Sequence, residues 1–113
     1  MTDKDLYGGL IRLHILHHAA EEPIFGLGII EELRRHSYAI SAGTLYPMLH
    51  RLEKKGYLVS REERTGQRGR RMYEITPDGR NALAAARLKV KELFGELFES
   101  DSAGRGHASK NAP

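Results

Sequence analysis

Cysteine is absent from this 113-residue sequence, which excludes disulfide bonds, thiolate catalysis and cysteine-ligated zinc. Long apolar runs are absent too, since no segment approaches the roughly 18 apolar residues that a membrane-spanning helix needs. The first five residues, Met1 to Asp5, are polar and acidic, unlike a secretory signal peptide. These absences predict a cytoplasmic protein with no membrane partner.

Recognisable catalytic motifs are missing as well. The sequence has no Gly-x-Ser-x-Gly elbow, no P-loop and no His-Glu-x-x-His. The run Gly66-Gln67-Arg68-Gly69 resembles a phosphate loop only in composition, because a hairpin rather than a helix is predicted after it. We therefore expect no enzymatic activity and no cofactor.

Positive charge is concentrated in one part of the sequence. Residues 50–71 carry eight Lys or Arg against three Glu, a net charge of +5, whereas the rest of the chain sums to −2. A cationic segment on a near-neutral body indicates a polyanionic partner. A merely solvated charged surface would have the same composition.

Apolar residues recur at helical spacing in four segments. We predict helices over residues 5–20 and 27–35, a third between Ser41 and Gly56, and a fourth over 77–99. Residues 24–26 are interpreted as a connector. In the third helix Leu45, Leu49 and Leu52 line one face, so the opposite face carries small, polar and cationic residues.

The sequence alone offers two positions for the start of the third helix. Ser41 is a good N-cap, but it places Pro47 inside the helix, where the missing N–H removes a hydrogen bond to Gly43. With Thr44 as N-cap, Pro47 would lie in the first turn and lose nothing. Gly56 is typical of the residue that follows a helix end.

Two β-prone runs, 57–64 and 70–75, flank a Gly-containing turn at 65–69 and predict a hairpin. Thr76-Pro77-Asp78 has the composition of a helix start. The order α-α-α-β-β-α is that of a winged helix-turn-helix, mainly α with a small β-hairpin. We divide the chain into a DNA-binding domain (1–76), a C-terminal dimerisation helix (77–99) and a disordered tail (100–113).

Several short motifs occur in order along the chain. They are Glu22-Pro23-Ile24-Phe25-Gly26, Ser41-Ala42-Gly43-Thr44-Leu45-Tyr46-Pro47, Leu49-His50-Arg51-Leu52-Glu53, Gly56-Tyr57-Leu58, Arg70-Arg71-Met72-Tyr73 and Thr76-Pro77-Asp78-Gly79-Arg80. Together they resemble the PadR family of bacterial transcriptional regulators, over about residues 6–97. The resemblance implies a homodimeric winged-helix repressor whose C-terminal helix packs with the partner's first helix. With a single C-terminal helix, the chain resembles the short subfamily. Some family members build a drug pocket around a tryptophan, and this sequence contains none.

Exposed cations and hydroxyls predict the DNA contacts. Arginine and lysine neutralise phosphates, hydroxyls commonly bind phosphate, and arginine or histidine can reach base edges. The candidates are Ser41, Gly43, Thr44, Tyr46, Pro47, His50, Arg51 and Lys54 of the third helix and Arg64, Gln67, Arg68, Arg70 and Arg71 of the hairpin. Tyr46 has an alternative role as a packing residue against the second helix.

The apolar end of the last helix exceeds what one small domain can cover, which indicates a partner. The predicted interface comprises Leu6, Leu10, Leu13, Val90, Leu93, Phe94, Leu97 and Phe98. A two-fold dimer would place two reading helices about 34 Å apart, one turn of duplex, on a palindromic operator.

The leading hypothesis is a sequence-specific, double-stranded-DNA-binding transcriptional regulator: a homodimeric repressor relieved by a small-molecule or metal effector. A winged-helix module that binds protein is one alternative. A metal sensor is another, because His14 and His18 are four residues apart on one helix face and could hold a transition metal. Their spacing compels no third ligand, so incidental histidines remain the simpler interpretation.

Overall fold

The computed structural model describes residues 2–65 and 68–103. Its elements are, in order, α1 (Lys4–Glu21), β1 (Ile24–Phe25), α2 (Gly26–Arg35), α3 (Ala42–Lys54), β2 (Leu58–Thr65), β3 (Arg68–Ile75) and α4 (Pro77–Ala103). The predicted mainly helical winged helix-turn-helix is confirmed. Within the described ranges, no helix is long and apolar enough to cross a membrane.

The core lies in the first of two compact units, which covers residues 1–83. Its fully buried side chains come from all three N-terminal helices and from the first strand of the hairpin. They are Ile11, Ile15, Leu33, Leu45, Leu49 and Leu58. The inward face of α1 is therefore formed by its isoleucines, and Leu6 and Leu10 lie exposed beside that face.

The sheet has three antiparallel strands in the order β1-β3-β2. Interpreting residues 24–26 as a connector was wrong, because Ile24 pairs with Tyr73 and Phe25 with Met72. A two-residue strand has no periodicity to reveal it. It exists because the free edge of β3 offers backbone groups that need partners.

The strands of the hairpin are longer than predicted. Thr65 pairs with Arg68, and Arg64 with Gly69, so three residues assigned to the turn at 65–69 belong to strands. Residues 66 and 67 of the predicted turn lie outside the described ranges.

The structure resolves the open question about α3. The Ser41 side chain accepts a hydrogen bond from the Thr44 N–H at 3.2 Å, so Ser41 is the N-cap and Pro47 lies inside the helix. At the other end Gly56 has φ of +87°. The Gly56 N–H donates to the Glu53 carbonyl and the Tyr57 N–H to the Leu52 carbonyl, the pattern of a Schellman cap.

The start of α4 is joined to the end of α3. The Thr76 hydroxyl donates to the Gly56 carbonyl at 2.5 Å, and the Thr76 N–H donates to the Tyr57 carbonyl at 3.0 Å. The same hydroxyl accepts from the Gly79 N–H at 2.9 Å, which caps α4 as predicted. Any β-carbon at Gly79 would collide with the Tyr57 carbonyl oxygen.

The second unit begins at Ala84 and contains the rest of α4. Its large apolar side chains are exposed, and the Phe94 and Phe98 rings contact one another with centroids 4.8 Å apart. The helix continues four residues beyond the predicted end at 99. Residues 104–113 of the predicted tail lie outside the described ranges.

Candidate nucleic-acid interface

The two faces of α3 differ as its leucine spacing predicts. Leu45 and Leu49 are fully buried and Leu52 nearly so. The candidates on the other face are exposed, except Thr44, which is half-buried: Ser41, Gly43, Tyr46, Pro47, His50, Arg51 and Lys54. The helix therefore offers a continuous surface of hydroxyl, imidazole and cationic groups.

The cations of α3 keep their charge unpaired by the protein. No ion pair among the described residues involves Arg51, Lys54 or Lys55. Lys54 also lies in the last turn of α3, where a cation complements the helix dipole. Their ammonium and guanidinium groups thus remain available to an external anion.

A groove beside α3 brings in cations that sequence reasoning missed. Lys4 and Arg12 of α1 line it together with Thr44, Pro47 and Arg51. Only the packing of α1 across the start of α3 makes them neighbours. Helical spacing in α1 gave no signal for these side chains.

Tyr46 combines the two roles considered for it. Its ring and hydroxyl lie directly against Gly26 at the start of α2, where an added β-carbon would collide with the hydroxyl oxygen. The side chain nevertheless stays 42% exposed. Packing on α2 fixes the ring, and its exposed part remains on the outer surface.

The hairpin, called the wing below, carries cations that are paired within it. Arg70 lies 3.6 Å from Glu63, and Arg71 lies 3.7 Å from Glu62. Both pairs are between residues directly opposite one another on β2 and β3. Arg70 also stacks on the Phe25 ring, with its guanidinium carbon 4.0 Å from the ring centroid. The wing is therefore less positive towards a ligand than its arginine count suggests.

The wing is tied to α3 by a chain of hydrogen bonds. The Glu53 carboxylate accepts from the Ser60 hydroxyl at 2.7 Å and from its N–H at 3.2 Å. The Ser60 hydroxyl in turn accepts from the Arg71 guanidinium at 3.1 Å. Burial raises the pKa of the neighbouring Tyr73, and the Glu53 charge adds to that shift. Arg71 is thus held at a fixed place relative to the exposed face of α3.

The remaining wing candidates are Arg64, Gln67 and Arg68. Arg64 is exposed near the end of β2. Gln67 lies outside the described residues, as does the side chain of Arg68. Sequence reasoning missed Arg61, which donates to Glu74 at 3.1 Å and lies 3.8 Å from Glu63.

The apolar residues assigned to a dimer contact are exposed in the single chain. Leu6 is 68% exposed, and Leu10 and Leu13 of the same helix are exposed and half-buried. The five α4 candidates are all exposed: Val90, Leu93, Phe94, Leu97 and Phe98. These side chains form surfaces that the described residues of their own unit leave uncovered.

His14 and His18 lie in a larger cluster than their spacing indicated. His36, just beyond α2, stacks on His14 with ring centroids 4.6 Å apart. One nitrogen from each of the three rings lies within 4.8 Å of the others. His36 was missed because 18 residues separate it from His18 along the chain.

The surroundings of His14 and His18 lower the pKa of both imidazoles. Burial lowers the pKa of His14, and the neighbouring imidazoles of His36, His18 and His17 add to that shift. Burial also lowers the pKa of His18, against the opposing effect of the Glu32 carboxylate. A neutral imidazole keeps one lone pair available for a ligand.

Three helices, a buried leucine face behind an exposed polar one, and a wing define the winged helix-turn-helix class of DNA-binding regulators. Comparison with known sequences agrees with this class. Residues 15–85 match the Transcriptional regulator PadR-like family. The chain is 49% identical to transcriptional regulator Rv3488 of Mycobacterium tuberculosis over 98 residues, covering 85% of this chain and 92% of that protein.

Solved structures give the same result. A PadR family regulator from Eggerthella lenta has a TM-score of 0.76 at 27% identity, covering 88% of each chain. A PadR-like transcription factor from Bacteroides fragilis has a TM-score of 0.74 at 26% identity, covering 85% of this chain and 94% of that one. This chain belongs to the PadR family of transcriptional regulators. The family and its members are regulators rather than enzymes, as the sequence predicted.

Proposed function

We propose that this PadR-family protein is a homodimeric repressor that reads a palindromic operator with α3 and clamps the flanking phosphates with its wing. One observation carries the proposal: α3 buries Leu45, Leu49 and Leu52 and exposes an opposite face whose cations form no ion pair with any residue in the described ranges. A recognition helix in the major groove needs this division of faces.

The two ends of the exposed α3 face support different contacts. Gly43 and Pro47 remove bulk near the helix start, which allows close approach to the duplex. Thr44 suits either a phosphate oxygen or a base edge, and Arg51 suits either a phosphate or a guanine edge. Lys4 and Arg12, which line the same groove, add phosphate contacts from α1.

The residues of the wing suit a role in the affinity for DNA rather than in the recognition of a particular sequence. Arg64, Arg70 and Arg71 are exposed on it, and arginine suits both phosphates and narrow minor grooves. The hydrogen bonds from Glu53 through Ser60 to Arg71 keep that cation at one distance from α3.

Two-fold pairing is supported by the exposed apolar surfaces on α1 and α4. Soluble proteins rarely leave such surfaces uncovered. Pairing would present two copies of α3 to successive turns of DNA. An effector, either a small molecule or a metal ion, would relieve repression by favouring a dimer with the wrong spacing of reading helices. We place the protein in the cytoplasm, where it would meet the chromosome.

The test is selection of bound genomic fragments by the purified chain, followed by affinity measurements on the selected operator and on random DNA. Thr44→Ala and Arg51→Ala should each lose more affinity on the operator, by about 1–3 kcal/mol for a lost base contact. Arg68→Ala with Arg70→Ala should weaken binding to both DNAs and flatten the salt dependence. Failure to enrich any fragment would contradict the proposal and favour a protein-binding module.

A further inference from the structure

The histidine cluster joins α1 to the turn of the helix-turn-helix. His14 and His18 come from α1, and His36 directly follows α2. The ring centroids of His18 and His36 are 5.7 Å apart, and those of His14 and His18 are 6.2 Å apart. Three imidazoles from two elements therefore converge on one point.

A carboxylate faces the same point. Glu32 Oε2 lies 3.4 Å from His36 Nε2 and 3.8 Å from His18 Nε2. The other oxygen of Glu32 is held by Arg35 at 2.8 Å. The Arg35 contact fixes the carboxylate and leaves Oε2 directed at the two imidazoles.

One buried atom of the cluster has no hydrogen-bond partner among the described residues. His18 Nε2 is buried, and Glu32 Oε2, at 3.8 Å, is too distant to accept a hydrogen bond from it. Leaving a buried polar nitrogen unsatisfied is unfavourable. Simple packing of histidines does not account for this atom, whereas a cation between His18 and Glu32 would.

We infer that His14, His18 and His36, with Glu32, form a binding site for a divalent transition-metal ion of the zinc class. Three imidazole nitrogens with one carboxylate oxygen are a donor set that suits zinc. Four ligands around tetrahedral zinc lie about 3.3 Å from one another. Small side-chain rotations would bring ligand atoms that now lie within 4.8 Å to that separation.

Neighbouring groups complete the site. Tyr38 packs edge-on against His14 with ring centroids 5.3 Å apart, which limits rotation of that imidazole. A groove lined by His18, Glu21 and Glu32 opens beside the cluster and gives an ion a path from solvent. Oriented ligands and an entry path are both properties expected of a metal site.

The test is calorimetric titration of the untagged full-length chain with zinc chloride after treatment with EDTA. Wild-type protein should bind one ion per chain, and a cobalt(II) titration should give the intense visible bands of tetrahedral nitrogen and oxygen coordination. His36→Ala should weaken zinc binding by about tenfold or more. Because its side chain is 42% exposed, this replacement leaves the core intact.

His17→Ala is the matched control. His17 lies on the same helix beside His18 but is 56% exposed, and it is not part of the cluster. The His17→Ala variant should bind zinc with the same affinity as the wild type. Equal losses in His17→Ala and His36→Ala, or no saturable binding by the wild type, would overturn the metal site. Circular dichroism of both variants in EDTA verifies that they are folded.

Bound metal would also restrain the turn before α3. His36 is followed by Ser37, whose φ is +72°, and the turn leads to the N-cap Ser41. This second step rests on the proposed function. Zinc should change the operator affinity of the wild type but not of His36→Ala. Unchanged affinity in zinc-bound wild type would refute the regulatory step, whereas absence of DNA binding in EDTA and in zinc alike would refute the proposed function.

Discussion

At the scale of single residues, Gly26 determines where the Tyr46 side chain lies on the exposed side of α3. The Tyr46 ring fills the space that a side chain at Gly26 would occupy. The Gly-Thr-Leu-Tyr-Pro motif and the Phe-Gly pair at the start of α2 are thus linked by one contact. A sequence alone shows both motifs, but it does not show that each requires the other.

We expect Gly26→Ala to destabilise the fold by about 1–3 kcal/mol, because the new methyl group forces Tyr46 or the start of α2 to move. Urea denaturation measures the change. The double variant Gly26→Ala with Tyr46→Ala should lose less than the sum of the two single variants.

Gly9→Ala is the matched control for that substitution. Gly9 lies in α1, and apart from the adjoining backbone of that helix no atom of the described residues lies within 4 Å of a β-carbon built there. Alanine should therefore stabilise the protein by up to about 1 kcal/mol through helix propensity. Equal losses at Gly9 and Gly26 would mean that the Tyr46 contact does not limit position 26.

At the scale of elements, the wing compensates its own charge. Glu62 and Glu63 each face an arginine across the hairpin. Replacing both by glutamine should release Arg71 and Arg70 and raise affinity for random DNA, with a steeper salt dependence. Fluorescence anisotropy across a salt series measures both effects. A variant that binds random DNA no better than the wild type would contradict this role.

The hydrogen bonds between α3 and the wing give a second prediction at this scale. Ser60→Ala should cost about 0.5–1.5 kcal/mol of stability and weaken operator binding, because Arg71 loses its link to Glu53. Glu62→Gln removes the other partner of Arg71, but at an exposed ion pair worth about 0–1 kcal/mol. A larger loss of stability in Glu62→Gln than in Ser60→Ala would contradict this ranking.

Elements with long periodic patterns were predictable from the sequence. Leu45, Leu49 and Leu52 recur at helical spacing, and this spacing identified the buried face of α3. β1 was not predictable, because two residues carry no period and only pairing with β3 makes them a strand. Thr65 and Gly69 were assigned to the turn for a similar reason, since glycine marks a break without fixing its length.

The residues of the candidate sites also divide into those that the sequence reveals and those that it does not. Exposure of the α3 candidates followed directly from helical geometry. The ion pairs of the wing required the strand register, which the sequence did not specify. His36, Lys4 and Arg12 reach their neighbours only through packing of separate helices, so no spacing along the chain could have revealed them.

At the scale of the whole molecule, the proposed dimer gives the clearest prediction. Leu93→Asp places a charge in the predicted interface and should yield a monomer in sedimentation, with operator affinity lost by a large factor. Leu88→Asp is the matched control, since Leu88 is 71% exposed and lies on the opposite side of the same helix from Leu97. A Leu93→Asp dimer as stable as the wild type would contradict the interface.

The Thr76 junction has a mechanical consequence for such an assembly. The Thr76 hydroxyl bonds both the Gly56 carbonyl, just after α3, and the Gly79 amide in the first turn of α4. A β-carbon at Gly79 would collide with the Tyr57 carbonyl oxygen, so these two helix ends are closely packed. We therefore expect a displacement of the first turn of α4 to move the end of α3 with it.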